Sequence, residues 1–309
     1  MSSPFCHKRS GQLRQASTLS FIPPTISTPM GVVLARLFPP TFQPERDMPD
    51  LSGQVRLVTG GNTGIGYETV RQLLLKNVKV YLGARSPEKG AAAIKRLEDE
   101  TKNGVMISPP EQLTAQNYDL QFGTNVIGHF FLTELLLPAF TESYKVANVP
   151  ARVINVSSMV HSTAYGKGIE FVSLKGGPKR DAWVKEKGNI MVRFPLYGQS
   201  KMGNIFISNY FAKQHSDVLV SCTVHPGSIK SDLQRHVPRW LEVYVRFWGY
   251  PTALGAYPQL WAATIATPAQ ITGQYVIPWG KIGTPDKRTT NMKLQEELVA
   301  YLKEQVKGF

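Results

Sequence analysis

From Pro49 onward the chain alternates short apolar runs with longer segments of helical spacing. "GQVRLVTG" (53–60) is a mainly apolar run closed by Gly. "YETVRQLLLKN" (67–77) follows, with Val70, Leu73 and Leu74 on one face of a helix. "VKVYLGAR" (78–85) is a second run, and Ser86-Pro87 then reads as an N-cap with Pro at the first helical position. The helix it opens, "PEKGAAAIKRLEDETK" (87–102), keeps Ala92 and Leu97 on one face. Further on, the pattern predicts a helix over about 115–140, a strand at "ARVINVSS" (151–158), a helix over about 197–213 and a strand at "VLVSCTVHPG" (218–227). An aromatic-rich segment from Trp240, a last strand at "GQYVIP" (273–278) and an amphipathic tail complete it. Strands alternating with helices predict a parallel sheet covered by helices, the α/β class.

The alternation fails once. Between the helix ending near Lys102 and the helix beginning near Ala115 there is only Asn103-Gly104, the run Val105-Met106-Ile107 and Ser-Pro-Pro. A strand, a helix and a second strand are due there. Such a unit takes about 30 residues or more.

Composition adds little to the fold and something to the function. A hydrophobic content of 42% with 18% charged residues, in 309 residues, suits a globular protein with a sizeable core. The formal charge is +13, but it is dispersed. Ten Lys or Arg against Glu170, Asp181 and Glu186 lie between Lys145 and Lys201, among Gly, Pro and polar residues, as in a solvated loop. No basic-plus-aromatic motif accompanies them, so no nucleic-acid partner is expected; an anionic cofactor is the other use for such charge. Cys6 and Cys222 are poorly placed to pair, which fits a reducing compartment. No run approaches 18 apolar residues, so no transmembrane segment is expected.

Residues 1–48 differ from the rest: rich in Ser, Thr and Pro, with Lys8, Arg9, Arg14 and Arg36 and no acid before Glu45. The stretch reads as a disordered or over-long extension, with Met30 as an alternative start, or as a mitochondrial transit peptide. Its prolines break any amphipathic helix, which favours the first reading and a cytoplasmic location. The domain proper is set at 49–309.

The chemistry-bearing residues fall at the ends of these elements. The first strand runs into Thr59-Gly60-Gly61-Asn62-Thr63-Gly64-Ile65-Gly66. Glycines between a strand and a helix let backbone approach a pyrophosphate, and the helix start offers N–H groups and partial positive charge to it. Tyr197-Gly198-Gln199-Ser200-Lys201 is Tyr-x-x-x-Lys; residues four apart share a helix face, so the ammonium can reach the phenol and pull its pKa down from about 10.

Together with "TNVIG" and "NVSS", these motifs resemble the short-chain dehydrogenase/reductase family, over nearly everything from about Asp50 to Pro278. The resemblance implies an incomplete Rossmann-type doubly wound parallel sheet. It also implies roles: Tyr197 as proton donor and acceptor, Ser158 on the substrate oxygen, Lys201 on the tyrosine and the nicotinamide ribose, and Asn125 in a proton relay. Gly60, Asn62, Gly64, Ile65, Gly66, Pro226, Gly227, Ile229 and Ser231 are implied as cofactor contacts, and no metal is expected. The long Ser158-to-Tyr197 interval and "YGQSK" are similar to the retinol-dehydrogenase-like branch and its fungal alcohol-dehydrogenase relatives. "YLGARS" lacks the acid that selects NAD at the end of the second strand; Arg85 there suits the extra phosphate of NADP(H). Trp240, Tyr244, Phe247, Trp248 and Tyr250 point to an apolar alcohol, aldehyde or ketone, or to ordinary packing; a homo-oligomer is left open.

Set against the family, the break at Gly104 means that the third strand, the next helix and the fourth strand with its Asn-Asn-Ala-Gly turn are absent. A central strand buries several aliphatic side chains worth about 1.5–3 kcal/mol each, against a net stability of about 5–15 kcal/mol. Two outcomes are open. The first strand pairs directly with the "RVINVSS" strand in a smaller continuous sheet. Or the chain is a catalytically impaired splice form or gene-model variant, acting at most as a binding or dimerising protein.

Overall fold

The computed structural model describes residues 40–83, 106–230 and 249–309. The helix expected over 87–102 and the seam at Asn103-Gly104-Val105 lie outside them. Strand β1 (Val55–Thr59) pairs in parallel with β2 (Lys79–Gly83), Val55 opposite Lys79 and Thr59 opposite Gly83. Helix α2 (Gly64–Leu74) connects them and buries Val70 and Leu73, two of the three positions its spacing predicts; Leu74 stays 40% exposed.

A second sheet holds β3 (Ala151–Val156), β4 (Leu219–Val224) and β5 (Tyr275–Ile277), all parallel. A short antiparallel edge strand β6 (Lys281–Gly283) completes it; the hydrophobic pattern gives no sign of so short an edge strand. The direct pairing of β1 with β3 does not occur: no ladder joins the two sheets among the described residues. Burial, and then the like charge of Arg152 on β3, lower the pKa of Arg56 on β1. The separation of the sheets is visible in burial: every residue of β4 is buried, whereas Val55 and Leu57 of β1 are 55% and 45% exposed.

One helix layer is α3 (residues 120–147), α5 (Arg193–Gln214) and α9 (Met292–Val306), with Phe122, Phe130, Phe206, Phe211, Leu298 and Leu302 at its centre. Helix α3 runs through Leu120–Phe122, a π-helical turn at Gly123–Ile127 and Gly128–Ala147. On the other face, Leu260 of α7 (Tyr257–Thr264) packs with Leu73, Met48 and Phe42, so packing extends upstream of Pro49. Trp261 touches both this cluster and the one under β4, so α7 bridges the two sheets.

The basic insertion is not the solvated loop its composition suggests. It contains α4 (Pro178–Lys187), and Arg180 is buried there. Its guanidinium pairs with Asp119 at 3.0 Å and donates to the carbonyls of Ser173 and Pro110 at 3.0 and 2.6 Å. Asp119 also accepts the Phe122 N–H at 2.9 Å, so one carboxylate caps α3 and anchors α4.

Candidate functional site

The glycine-rich loop leaves β1 at Thr59 and enters α2 at Gly64. Gly60 and Gly64 have φ of +64° and +52°, a backbone region that side chains disfavour, and a Cβ added to either would meet nothing within 4 Å. A Cβ on Gly66 would instead stand 2.3 Å from the Gly60 carbonyl oxygen. The loop is therefore folded tightly against the start of an 11-residue helix and open in front. That shape, with a helix N-terminus behind it, fits the pyrophosphate of a dinucleotide. Asn62 is buried within it. Ile65 reaches the chain after β4: a Cβ on Gly255 would lie 2.9 Å from both Ile65 and Ile229. The Pro226-Gly227 turn follows β4 directly, with Gly227 at φ +96° against Pro278. Arg85 and Ser231 lie outside the described residues, as do Trp240, Tyr244, Phe247 and Trp248. Tyr250 is buried and meets Trp279 edge to face at 5.0 Å; its backbone pairs with that of Ile229.

Tyr197 and Lys201 sit in the first turns of α5. Helix α5 comes close to the Ser158 turn because residue 198 is glycine: a Cβ there would lie 2.6 Å from the Val160 carbonyl oxygen. The Tyr197 phenol is within hydrogen-bonding reach of Ser158, which favours its ionised form, but burial is the larger effect and pushes its pKa up. This differs from the downward pull expected of lysine. The ammonium of Lys201 lies over the face of the Tyr197 ring, 5.6 Å from its centre, and donates to the Val156 carbonyl at 3.0 Å. Its own pKa is lowered by burial to about 8.

Asn125 falls in the π-helical turn of α3, a distortion that tends to occur at functional positions. Its amide donates to Ser200 Oγ at 3.0 Å, and Ser200 in turn donates to the Tyr197 carbonyl at 2.8 Å. Asn125, Ser158, Tyr197 and Lys201 thus converge, from α3, the end of β3 and α5. Two histidines join them. His129 bridges the Asn125 carbonyl (3.0 Å from Nδ1) and the Thr59 hydroxyl (3.1 Å from Nε2), linking α3 to the glycine-rich loop. Burial, and then the Lys201 charge, lower its pKa. His161 lies under the Ser158 turn. His129 follows "TNVIG" directly and His161 lies three residues after "NVSS", but a lone histidine carries no spacing signal that would single it out.

Known proteins resemble this chain. The short chain dehydrogenase family model matches residues 54–109. A short-chain dehydrogenase/reductase of Armillaria gallica is 36% identical over 317 aligned positions, covering 90% of this chain and 98% of that protein. The aligned span exceeds the length of this chain although only part of the chain takes part, so the relative carries residues that this chain lacks. Retinol dehydrogenase 11 of Homo sapiens is 30% identical over 231 residues, covering 62% of this chain and 67% of it. A crystal structure of an uncharacterized protein from Mycobacterium Paratuberculosis superposes with a TM-score of 0.58 at 22% identity, covering 85% of this chain and 97% of that one, which speaks to the fold. With relatives of this identity and coverage, the chain belongs to the short-chain dehydrogenase/reductase family, oxidoreductases that bind a nicotinamide cofactor.

Proposed function

We propose that the protein is an NADP(H)-dependent oxidoreductase interconverting an apolar alcohol and its aldehyde or ketone. The observation that carries this reading is the convergence of Tyr197, Ser158 and Lys201 at the ends of α5 and β3. When bound, the nicotinamide supplies or accepts the hydride. The rest is done by the chain's own groups. Ser158 holds the substrate oxygen beside the phenol. Tyr197 passes the proton to or from that oxygen as general acid and base. Lys201 holds the ribose side and stabilises phenolate once it forms, and Asn125 supports the return of the proton.

Gly60, Asn62, Gly64, Ile65 and Gly66 would hold the pyrophosphate. Pro226, Gly227, Ile229 and Ser231 would line the nicotinamide side. Arg85, with no acid beside it, supports the preference for the 2′-phosphate of NADP(H). The aromatic content after Pro226-Gly227, and a relative named retinol dehydrogenase, support an apolar, lipid- or retinoid-like substrate. Titrating the purified chain with NADPH and with NADH, followed by cofactor fluorescence, tests the assignment. Saturable micromolar binding of NADPH, at least about tenfold tighter than NADH, is expected. Equal affinity for both, or no binding of either, would overturn it.

A further inference from the structure

The turn that carries Ser158 is held from outside by the C-terminal segment. Met159–Thr163 is a 3₁₀ turn, capped by Ser158, whose Oγ accepts the Val160 N–H at 3.3 Å. His161 is buried in this turn, 4% exposed. Its Nδ1 lies 2.7 Å from the Ser158 carbonyl oxygen and its Nε2 lies 2.9 Å from the Asp286 backbone nitrogen. A carbonyl can only accept and an amide N–H can only donate, so Nδ1 must carry the proton and Nε2 must be the acceptor. The ring is neutral and held in one tautomer.

Arg288 completes the clamp. It donates to the carbonyls of Ala164 (2.6 Å), Ser162 (2.7 Å) and Gly166 (3.3 Å) and pairs with the Asp286 carboxylate at 2.9 Å. The other titratable groups facing His161 are the buried His225 and the ring of Tyr275, which meets it at 5.3 Å. Burial pushes His225 down to about 3, so it stays neutral when His161 titrates. Burial also lowers His161, partly offset by its bond to Ser158.

We propose that His161 is a positioning residue. As the neutral Nδ1–H tautomer it ties the Asp286–Arg288 segment to the Ser158 carbonyl and so sets where the Ser158 hydroxyl stands beside Tyr197. The proposal rests on the reading of Ser158 given above. Protonation at Nε2 would set one donor against another at Asp286 and release the clamp.

His161→Gln keeps a donor and an acceptor, whereas His161→Phe keeps a ring and neither. With NADPH and a medium-chain aldehyde, His161→Phe should lose roughly tenfold or more in kcat with little change in the KM for NADPH, and His161→Gln should keep most of it. Because burial lowers His161, the wild-type kcat should fall only on the acid side of the ordinary histidine range, and that fall should vanish in His161→Gln. A folded His161→Phe variant with wild-type kcat would overturn the proposal. A wild-type chain with no turnover would count against the proposed function alone. Amide exchange over 158–166 and at Asp286 then decides separately. Faster exchange is expected in His161→Phe, and in the wild type at low pH, than in His161→Gln; equal rates in all would overturn the proposal.

Discussion

At the residue scale, burial decides the site's electrostatics more than pairing does. Lys201 is drawn down to about 8 from 10.5 because its ammonium is desolvated. Between those values the unfolded chain binds a proton that the folded chain does not, so stability rises with pH there. Below pH 8 the lysine imposes its full cost; toward pH 10.5 the cost fades. Lys201→Met should therefore raise the melting temperature by about 2 °C or more at pH 7, less at pH 10, while abolishing turnover. A melting temperature that falls at pH 7 would contradict that accounting. The Val156 carbonyl remains satisfied in the variant, because Asn204 also donates to it at 2.9 Å. The sequence made the tyrosine and lysine easy to find, since four-residue spacing has a direct geometric meaning. It gave no view of His129 or His161, whose importance comes from carbonyl and amide partners distant in sequence.

At the element scale, three helices are tied to the site by specific contacts. Arg180 of α4 and Asp119 at the start of α3 form a pair that is almost wholly buried. Removing one partner leaves the other charge uncompensated, which costs about 3–5 kcal/mol. Arg180→Met should lower stability by that amount in urea unfolding, and a loss under about 1 kcal/mol would show the pair to be dispensable. Gly198 sets how close α5 comes to the Ser158 turn. Gly198→Ala forces a shift against the Val160 carbonyl and should cut kcat by roughly tenfold or more while leaving NADPH affinity near wild type; parallel losses in both would mean a wider disruption. Helix α4 was hidden in the sequence because its lysines masked the one arginine that turns inward. The π-helical turn at Asn125 was equally invisible, since its backbone spacing leaves no mark on the hydrophobic pattern.

At the scale of the whole molecule, the parallel-sheet class and the order of elements are plain from periodicity, while the division of the sheet is not. The break in the alternation at Gly104 is plain in the sequence, yet how β1 and β3 are placed depends on packing distant in sequence, such as Trp261 against both clusters. A two-stranded ladder that no further strand joins among the described residues, with two half-exposed aliphatics, should open more readily than a strand buried throughout. Amide exchange is expected to be faster over Val55–Thr59 than over Leu219–Val224; equal protection would mean that the two sheets unfold as one. Despite that division, the four proposed catalytic side chains and the glycine-rich loop stay linked, through the Thr59–His129–Asn125 bridge. The most direct test is the rate of aldehyde-dependent NADPH oxidation, followed by absorbance, in the wild-type chain and in Tyr197→Phe. The account predicts measurable turnover in the first and a loss of at least about a hundredfold in a folded second. Equal rates in the two would contradict it.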